Sequence, residues 1–182
     1  MYLSASDQQA LRGVLTLLTH DDECAEHEIR ERLGHALLDL LRADQFASFV
    51  WDAERGSFGS RVAINMAPSN LDTYAQWHQH HDPITFVLQS RRRATRVTEV
   101  MPQRELIRTP FFNDFLARDG LHWGLNLHSF DGDRALGDLR IWRRKARGDF
   151  AEREARMLDL IEPAFAGAVR RAQPRARADA GA

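Results

Sequence analysis

The chain has 182 residues, 43% of them hydrophobic and 28% charged, which is enough for one domain with a buried core. Because its formal net charge is -1, neither nucleic acid nor an anionic membrane should attract the molecule as a whole. The single cysteine, Cys24, excludes an intrachain disulfide, and the lack of a signal-peptide pattern and of any apolar run of about 18 residues favours a cytoplasmic location.

The first half of the chain predicts two helices followed by a hairpin. The predicted elements are helices at about 6–18 and 22–42 and strands at 44–52 and 57–65. Ser6 with Gln9 three positions later is a capping-box pattern that favours the start of a helix, and leucine and isoleucine then recur at helical spacing. The two strand-like segments are separated by a short turn, which indicates a β-hairpin.

The second half of the chain predicts short helices, a second hairpin and a long last helix. The predicted elements are helices at 71–81 and 84–90, a short strand within 91–100, two helical pieces within 101–120 divided at Pro110, strands at 121–130 and 136–144, and a helix at 149–172. The polar residues 173–182 predict a disordered tail or linker stub. This order predicts one α/β (α+β) domain over 1–172, with a GAF/PAS-like central antiparallel sheet of about five strands and helices on both faces.

Residues 77–86, WHQHHDPITF, place three of the eight histidines beside an Asp-Pro pair. Pro83 disfavours the helical conformation at Asp82, so one helix is predicted to end near His81 and Asp82 is predicted to cap the next. The histidines would then occupy the last helical turn, where the helix dipole favours positive charge. As the alternative, His78 and His81 lie one turn apart and are candidate ligands of a metal or haem sensor.

A polar face on the strand predicted at 121–130 indicates where a ligand would bind. Alternation places Leu121, Trp123, Leu125 and Leu127 on one face and His122, Gly124, Asn126, His128 and Phe130 on the other. If helices cover both faces, the polar face must be satisfied by protein groups, water or a ligand; the alternative is that this face is solvated. Tyr74, Trp77 and Phe86 flank Asp82 on the neighbouring helices, where aromatic residues indicate either packed core or a ligand cage.

Two arginine-rich segments, 91–96 and 140–147, predict solvated surface rather than a nucleic-acid face, because the net charge is close to zero and no recognition motif accompanies them. Cys24 lies in the acidic segment DDECAEHE, which disfavours a reactive thiolate. The chain also has no GxSxG or P-loop pattern. No catalytic residue, and no enzyme activity, is therefore predicted.

Three segments, in their order along the chain, resemble the GAF-like sensory half of LuxR-type transcriptional regulators over roughly residues 20–172. They are TYAQWHQHHDPIT, RELIRTPFFNDFLARDGLHWGLNL and LGDLRIWRRKARGDFAEREARMLDLIEPAFAGAVRRA. The resemblance implies a cytoplasmic, usually dimeric domain that binds a small-molecule effector between sheet and helices and signals to a C-terminal helix-turn-helix. In the quorum-sensing branch a Tyr and an Asp-Pro line the acyl-homoserine-lactone pocket, and Tyr74, Asp82 and Pro83 match them in type. That branch's downstream tryptophan has no counterpart between Pro83 and Trp123.

These patterns and the resemblance together predict one set of ligand-binding residues and no cofactor. The set is Tyr74, Trp77, His81, Asp82, Phe86, Trp123, Asn126 and His128. Ligand binding is expected to change the packing of the terminal helices in a homodimer. Because the ten residues after Ala172 are too few for a helix-turn-helix, DNA contact is expected only through a module absent from this chain. A ligand-free dimerisation module, or an anti-regulator that pairs with full-length relatives, is the remaining alternative.

Overall fold

The computed structural model describes residues 3–20 and 24–179, the last seven by their backbone only. The helices are α1 (Ala5–His20), α2 (Glu26–Leu40), α3 (Pro68–Gln76), α4 (Thr85–Arg91), α5 (Gln103–Leu106), α6 (Pro110–Asp114) and α7 (Glu152–Asp179). The strands are β1 (Gln45–Asp52), β2 (Ser57–Ile64), β3 (Thr95–Arg96), β4 (Trp123–Asp131) and β5 (Arg134–Arg143). Short 3₁₀ turns cover His78–His80, Val97–Glu99, Leu116–Asp119 and Lys145–Arg147. No helix among the described residues is both long and apolar enough to cross a membrane.

The strands form one antiparallel sheet in the order β2-β1-β5-β4-β3. Both predicted hairpins are present, β1 with β2 and β4 with β5. The long connection between the hairpins supplies α3 to α6 and the short edge strand β3. The predicted GAF-like α/β fold, with a five-stranded antiparallel sheet, is therefore confirmed.

Two separate hydrophobic cores fill the two sides of the sheet. On one side α1, α2 and α7 pack on apolar strand residues; the strand members are Phe46, Ile64, Leu125, Leu127, Leu136, Leu139 and Ile141. On the other side α3 to α6 and the turns between them pack on a largely aromatic face; its strand members are Ala47, Phe49, Phe58 and Trp142. Strand alternation produces this division, since neighbouring residues such as Ile141 and Trp142 point to opposite faces. The prediction of helices on both faces is confirmed.

Several element boundaries differ from the predicted ones. The predicted start of the second helix at Asp22 lies outside the described residues, and α2 begins at Glu26. Leu121 precedes β4 and packs with α3 to α6, because Gly120 adopts a left-handed φ of 73° and the Leu121 N–H donates to the carbonyl of Leu116. The last helix was predicted to end at Ala172 but continues to Asp179. Alanine and arginine, which are frequent after residue 172, are both favourable in helices.

Candidate functional site

A small cavity lies between the aromatic face of the sheet and the α3 to α6 layer. Its volume is about 20 Å³, which is room for about one water molecule. Its polar lining consists of Tyr74, Asp82, Thr85, Asn126 and Arg140. Its apolar lining includes Ala47, Phe49, Leu71, Phe111, Phe115, Leu121 and Trp142. The cavity therefore combines a few convergent polar groups with an apolar wall, which is the usual composition of a small-molecule site.

Arg140 on β5 is the buried cation of this site. Its Nε and Nη2 donate to Asp138 Oδ2 at 2.9 and 2.7 Å, and its Nη1 donates to the Tyr74 hydroxyl at 2.6 Å. The guanidinium carbon also lies 4.6 Å from the ring centroids of both Phe49 and Phe58. Burial alone would lower the pKa of Arg140, but Asp138 and Tyr74 raise it above its ordinary value. Arg140 is therefore a permanent cation that is held rigidly by its partners.

Asp82 joins this network from the α3–α4 connection. Its Oδ1 accepts the backbone N–H groups of Ile84 and Thr85, both at 2.9 Å, and its Oδ2 accepts the hydroxyls of Thr85 and Tyr74 at 2.5 and 3.3 Å. Asp82 was predicted to be the N-cap of the next helix, but Ile84 occupies that position in α4. Asp82 instead accepts the N–H groups of Ile84 and Thr85 from two and three residues upstream. Burial raises the pKa of Tyr74 above its ordinary value, so its hydroxyl stays protonated and donates to Asp82.

Asn126 and His128 on β4 lie directly across the strand pair from Arg140 and Asp138. Both are almost fully buried, and neither Asn126 Oδ1 nor His128 Nε2 has a hydrogen-bond partner among the described residues. Burial lowers the pKa of His128 to about 4, against the opposing effect of Asp138, whose Oδ2 lies 3.8 Å from Nδ1. His128 is therefore neutral at pH 7. Asn126 lines the cavity, so its carbonyl oxygen is an acceptor that remains for a donor inside it.

Five predicted ligand residues are not part of the cavity lining: Trp77, His81, Phe86, Trp123 and His128. Trp77 is 58% exposed and stacks on the exposed ring of His81, with centroids 3.9 Å apart. It is exposed because α3, whose inner side faces the sheet, ends one residue earlier at Gln76. Phe86 is half-exposed on α4 and packs edge-on against Trp51. Trp123 lies on the opposite face of the sheet, beside the α1, α2 and α7 core, because it alternates in register with Leu125 and Leu127. Of the predicted set, the structure brings Tyr74, Asp82 and Asn126 together around the cavity, with His128 beside them.

The histidines at 78–81 were predicted to lie in the last turn of a helix, but α3 ends at Gln76 and a separate 3₁₀ turn follows it at His78–His80. His78 is buried and stacks on Phe115 with centroids 5.5 Å apart, whereas His81 is exposed against Trp77. Across residues 3–20 and 24–179, no group of three or more His, Cys, Asp and Glu side chains is placed to hold a metal ion. The placement of His78 and His81 therefore gives no support to a metal ion held by protein side chains alone.

The sequence interpretation missed Arg140 because it assigned the whole 140–147 segment to solvated surface. Arg140 and Arg143 are instead 6% and 7% exposed, and Arg144 and its successors are at the surface. A signal was available: Asp138, Arg140 and Trp142 alternate with Leu139 and Ile141, and a strand covered by helices on both faces buries both of these sets. The pairing of Asp138 with Arg140 at i and i+2 then places the two charges side by side on one face.

A substitution at Gly124 tests the packing of the cavity wall. A Cβ atom at Gly124 would lie 2.5 Å from Val97 Cγ2 and 2.8 Å from Trp142 Cζ3, so Gly124→Ala must push the Trp142 ring. We expect a loss of about 1–3 kcal/mol in the free energy of unfolding, measured by urea denaturation. Gly13→Ala, which meets no neighbouring atom within 4 Å on helix α1, should instead stabilise by about 0.5–1 kcal/mol. Equal stability of Gly124→Ala and the wild type would contradict this packing.

The fold has counterparts among solved structures, although no family model and no curated protein matches the sequence. The N-acylhomoserine lactone dependent LuxR family transcription factor CepR2 from Burkholderia cenocepacia has a TM-score of 0.68 at 18% identity, over 96% of this chain and 99% of that chain. The GAF domain of a phosphoenolpyruvate-protein phosphotransferase from Coxiella burnetii has a TM-score of 0.68 at 14% identity, over 94% and 96%. Free methionine-R-sulfoxide reductase from Neisseria meningitidis has a TM-score of 0.62 at 9% identity, over 96% of both chains.

These neighbours are regulatory or sensory domains with one enzyme among them, and at such identities they establish the fold rather than the activity. Each similarity covers nearly the whole of both chains. The chain has the GAF-like fold that the ligand-binding domains of LuxR-family regulators share with GAF sensor domains.

Proposed function

We propose that this chain is the sensory domain of a LuxR-type regulator and that it binds a small-molecule effector in the cavity beside Asp82. The observation that carries the proposal is the convergence of Tyr74, Asp82, Asn126 and Arg140 on an apolar-walled cavity between sheet and helices. The unpartnered Asn126 carbonyl oxygen supports it, since a buried acceptor without a donor costs free energy unless something else supplies one. The lactone dependence stated for CepR2 supports a small-molecule effector of some kind.

The small size of the cavity makes effector binding a conformational event. A volume of about 20 Å³ holds one small group, so the rest of an effector must displace parts of the α3 to α6 layer. That layer includes α5 and α6, which have four and five residues. Helices this short have few internal hydrogen bonds and move at lower cost than the sheet beneath them. Effector binding would therefore select an opened arrangement of this layer.

The proposed signal passes through the terminal helices. In a homodimer, the change in their packing would be transmitted to a separate output module. Arg143, three residues after Arg140 on β5, faces the other side of the sheet. Its guanidinium donates to Glu154 near the start of α7, at 2.5 Å, and to the carbonyl of Leu41 just after α2, also at 2.5 Å. A shift of β5 at Arg140 would therefore reach α2 and α7 through a buried ion pair. This coupling is a physical contact between the cavity strand and the helices, which population shift requires.

A cavity-filling variant tests the proposal. Ala47 lies on β1 in the cavity wall and is buried, so Ala47→Leu would occupy the space without removing a polar group. We expect a small-molecule extract from a culture that makes the effector to raise the melting temperature of the wild type by roughly 5–10 °C. This is the shift expected when an effector is present at about 100 times its Kd. Native mass spectrometry should show the added mass of the effector.

Ala47→Leu should lose both responses while it still unfolds cooperatively. Ala75→Leu, the same change at an exposed position of α3, is the matched control and should respond as the wild type does. If Ala47→Leu binds the same mass as the wild type, the effector site lies elsewhere. If no fraction of the extract shifts the wild type, the sensory proposal fails.

A further inference from the structure

The charges around the cavity are unbalanced. Asp138 and Arg140 neutralise one another through two hydrogen bonds to the same carboxylate oxygen. Asp82 is 9% exposed and accepts four hydrogen bonds, yet it has no ion-pair partner within the part of the chain that the structure describes. Arg30, the other buried cation that interacts with Asp138, pairs with Glu26 on α2. Asp138 and Asp82 are therefore balanced by Arg140 alone, and the site carries one excess negative charge. Buried carboxylates without a cation are costly, and a cation brought to them recovers part of that cost.

The cavity-lining atom that has no hydrogen-bond partner among the described residues is an acceptor, the buried Oδ1 of Asn126. Asp82 lines the same cavity and contributes negative charge, because its oxygens already accept four hydrogen bonds. Nε and Nη2 of Arg140 donate to Asp138 and its Nη1 donates to Tyr74. A ligand that brings an N–H donor would therefore satisfy Asn126, whereas a carboxylate or phosphate would add an acceptor and a further negative charge.

Aromatic rings supply the remaining wall and are suited to a cation. The guanidinium of Arg140 already lies over Phe49, Phe58 and Tyr74, at 4.6, 4.6 and 5.3 Å from their centroids. Phe115 packs on the other side of Tyr74 with centroids 5.0 Å apart and lines the cavity. Ring faces attract cations, and most strongly where water is excluded. Because Arg140 occupies those ring faces and repels a second cation, an amine in the cavity would rely on other lining rings such as Phe115 and on the negative charge of Asp82.

From these three observations we propose that the effector is a protonated organic amine. Its ammonium group occupies the space of about 20 Å³, pairs with Asp82 and donates to Asn126 Oδ1. Its apolar remainder displaces the aromatic wall on the α3 to α6 side. This inference rests on the proposed function and names the chemical class that the same cavity selects.

A series of matched probes separates charge from shape. Methylamine, butylamine and phenethylamine at pH 7 are compared with the alcohols and carboxylates of the same carbon skeleton, by isothermal titration calorimetry and by the shift in melting temperature of the whole chain. We expect at least one amine to bind about tenfold or more tightly than its matched alcohol, which is the usual gain from charge-assisted hydrogen bonds. The carboxylates should not bind.

Two variants assign that preference to the named residues. Asp82→Asn keeps the shape and removes the charge, so the advantage of the amine over its alcohol should fall about tenfold. Asn126→Leu removes the unpartnered acceptor, so it should weaken amine binding while the unliganded protein keeps its melting temperature or gains a little. Asp72→Asn removes an exposed carboxylate of α3, which pairs with Arg61, and is the matched control that should change neither property.

The possible outcomes separate the amine inference from the sensory proposal. If every amine binds no better than its alcohol, or if Asp82→Asn keeps the full preference, the amine inference is overturned. If an extract still stabilises the wild type but not Ala47→Leu, the sensory proposal stands without it. Where Asp82→Asn unfolds at the assay temperature, the Asn126→Leu result decides the inference, because that variant leaves the hydrogen bonds of Asp82 intact.

Discussion

Arg140→Met should lower the free energy of unfolding by about 3–5 kcal/mol, the usual loss when one partner of a buried ion pair is removed. Asp138 is 1% exposed, and without the Arg140 guanidinium its Oδ2 loses both charged hydrogen bonds, although Arg30 still interacts with its charge. Its Oδ1 still accepts the backbone N–H of Phe49 at 2.7 Å. This single hydrogen bond does not replace an ion pair that contains two hydrogen bonds. Tyr74 also loses the Nη1 donor that lies 2.6 Å from its hydroxyl. The measurement is urea denaturation at pH 7.

A double variant distinguishes charge from packing at this position. Arg140→Met with Asp138→Asn removes both charges and keeps an acceptor for the Phe49 N–H. Because an apolar replacement of a whole buried pair is often nearly neutral, the double variant should recover most of the stability that the single variant loses. A single variant that loses under about 1 kcal/mol, or a double variant that is no better than the single one, would show that the pair is not buried as described.

Acid should destabilise the protein through His128. In the folded chain burial lowers the pKa of His128 to about 4, while an unfolded histidine titrates near 6.5. Between these pH values the unfolded state binds a proton that the folded state does not, so stability falls as the pH falls. The expected loss from pH 6.5 to pH 4 is about 3 kcal/mol for this residue. Urea denaturation at a series of pH values measures the slope.

The pH dependence of stability can be assigned to His128 only if a variant without this histidine loses it. The pKa values of His78 and His122 are also lowered by burial and contribute in the same direction, so the wild-type slope alone does not identify one residue. His128→Gln has no titrating group and should flatten the pH dependence between pH 4 and 6.5, relative to the wild type. An unchanged slope in His128→Gln would place the effect on the other histidines. Arg140 and Asp138 oppose one another at this ring, and burial is the larger influence.

Much of the fold is already present in short-range patterns of the sequence. Strand-like composition beside short turns predicts the strands at 44–52, 57–65 and 136–144, and period-two alternation predicts the strand at 121–130. Helical spacing predicts the first and last helices, because it shows which side of a helix avoids water. Asp82 and Pro83 predict the break before α4, since a carboxylate accepting nearby N–H groups and a fixed φ are local properties of those two residues. The order of these elements predicts the layered sheet.

Tertiary packing determined which residues line the cavity and how large the cavity is. Local alternation with Leu139 and Ile141 places Arg140 on one face of β5, but it does not show that this face is covered. Arg140 is buried and Arg144 is exposed because the α3 to α6 layer covers one and not the other. The same holds for Trp77 and Tyr74, three residues apart on the chain, of which only Tyr74 points inward because α3 ends at Gln76. The sequence by itself determined the elements and the residue types available to a site. The packing of two layers that are far apart in sequence decided which of those residues meet and left a space of about 20 Å³ between them. Close-packed side chains leave room only where their shapes fail to interlock.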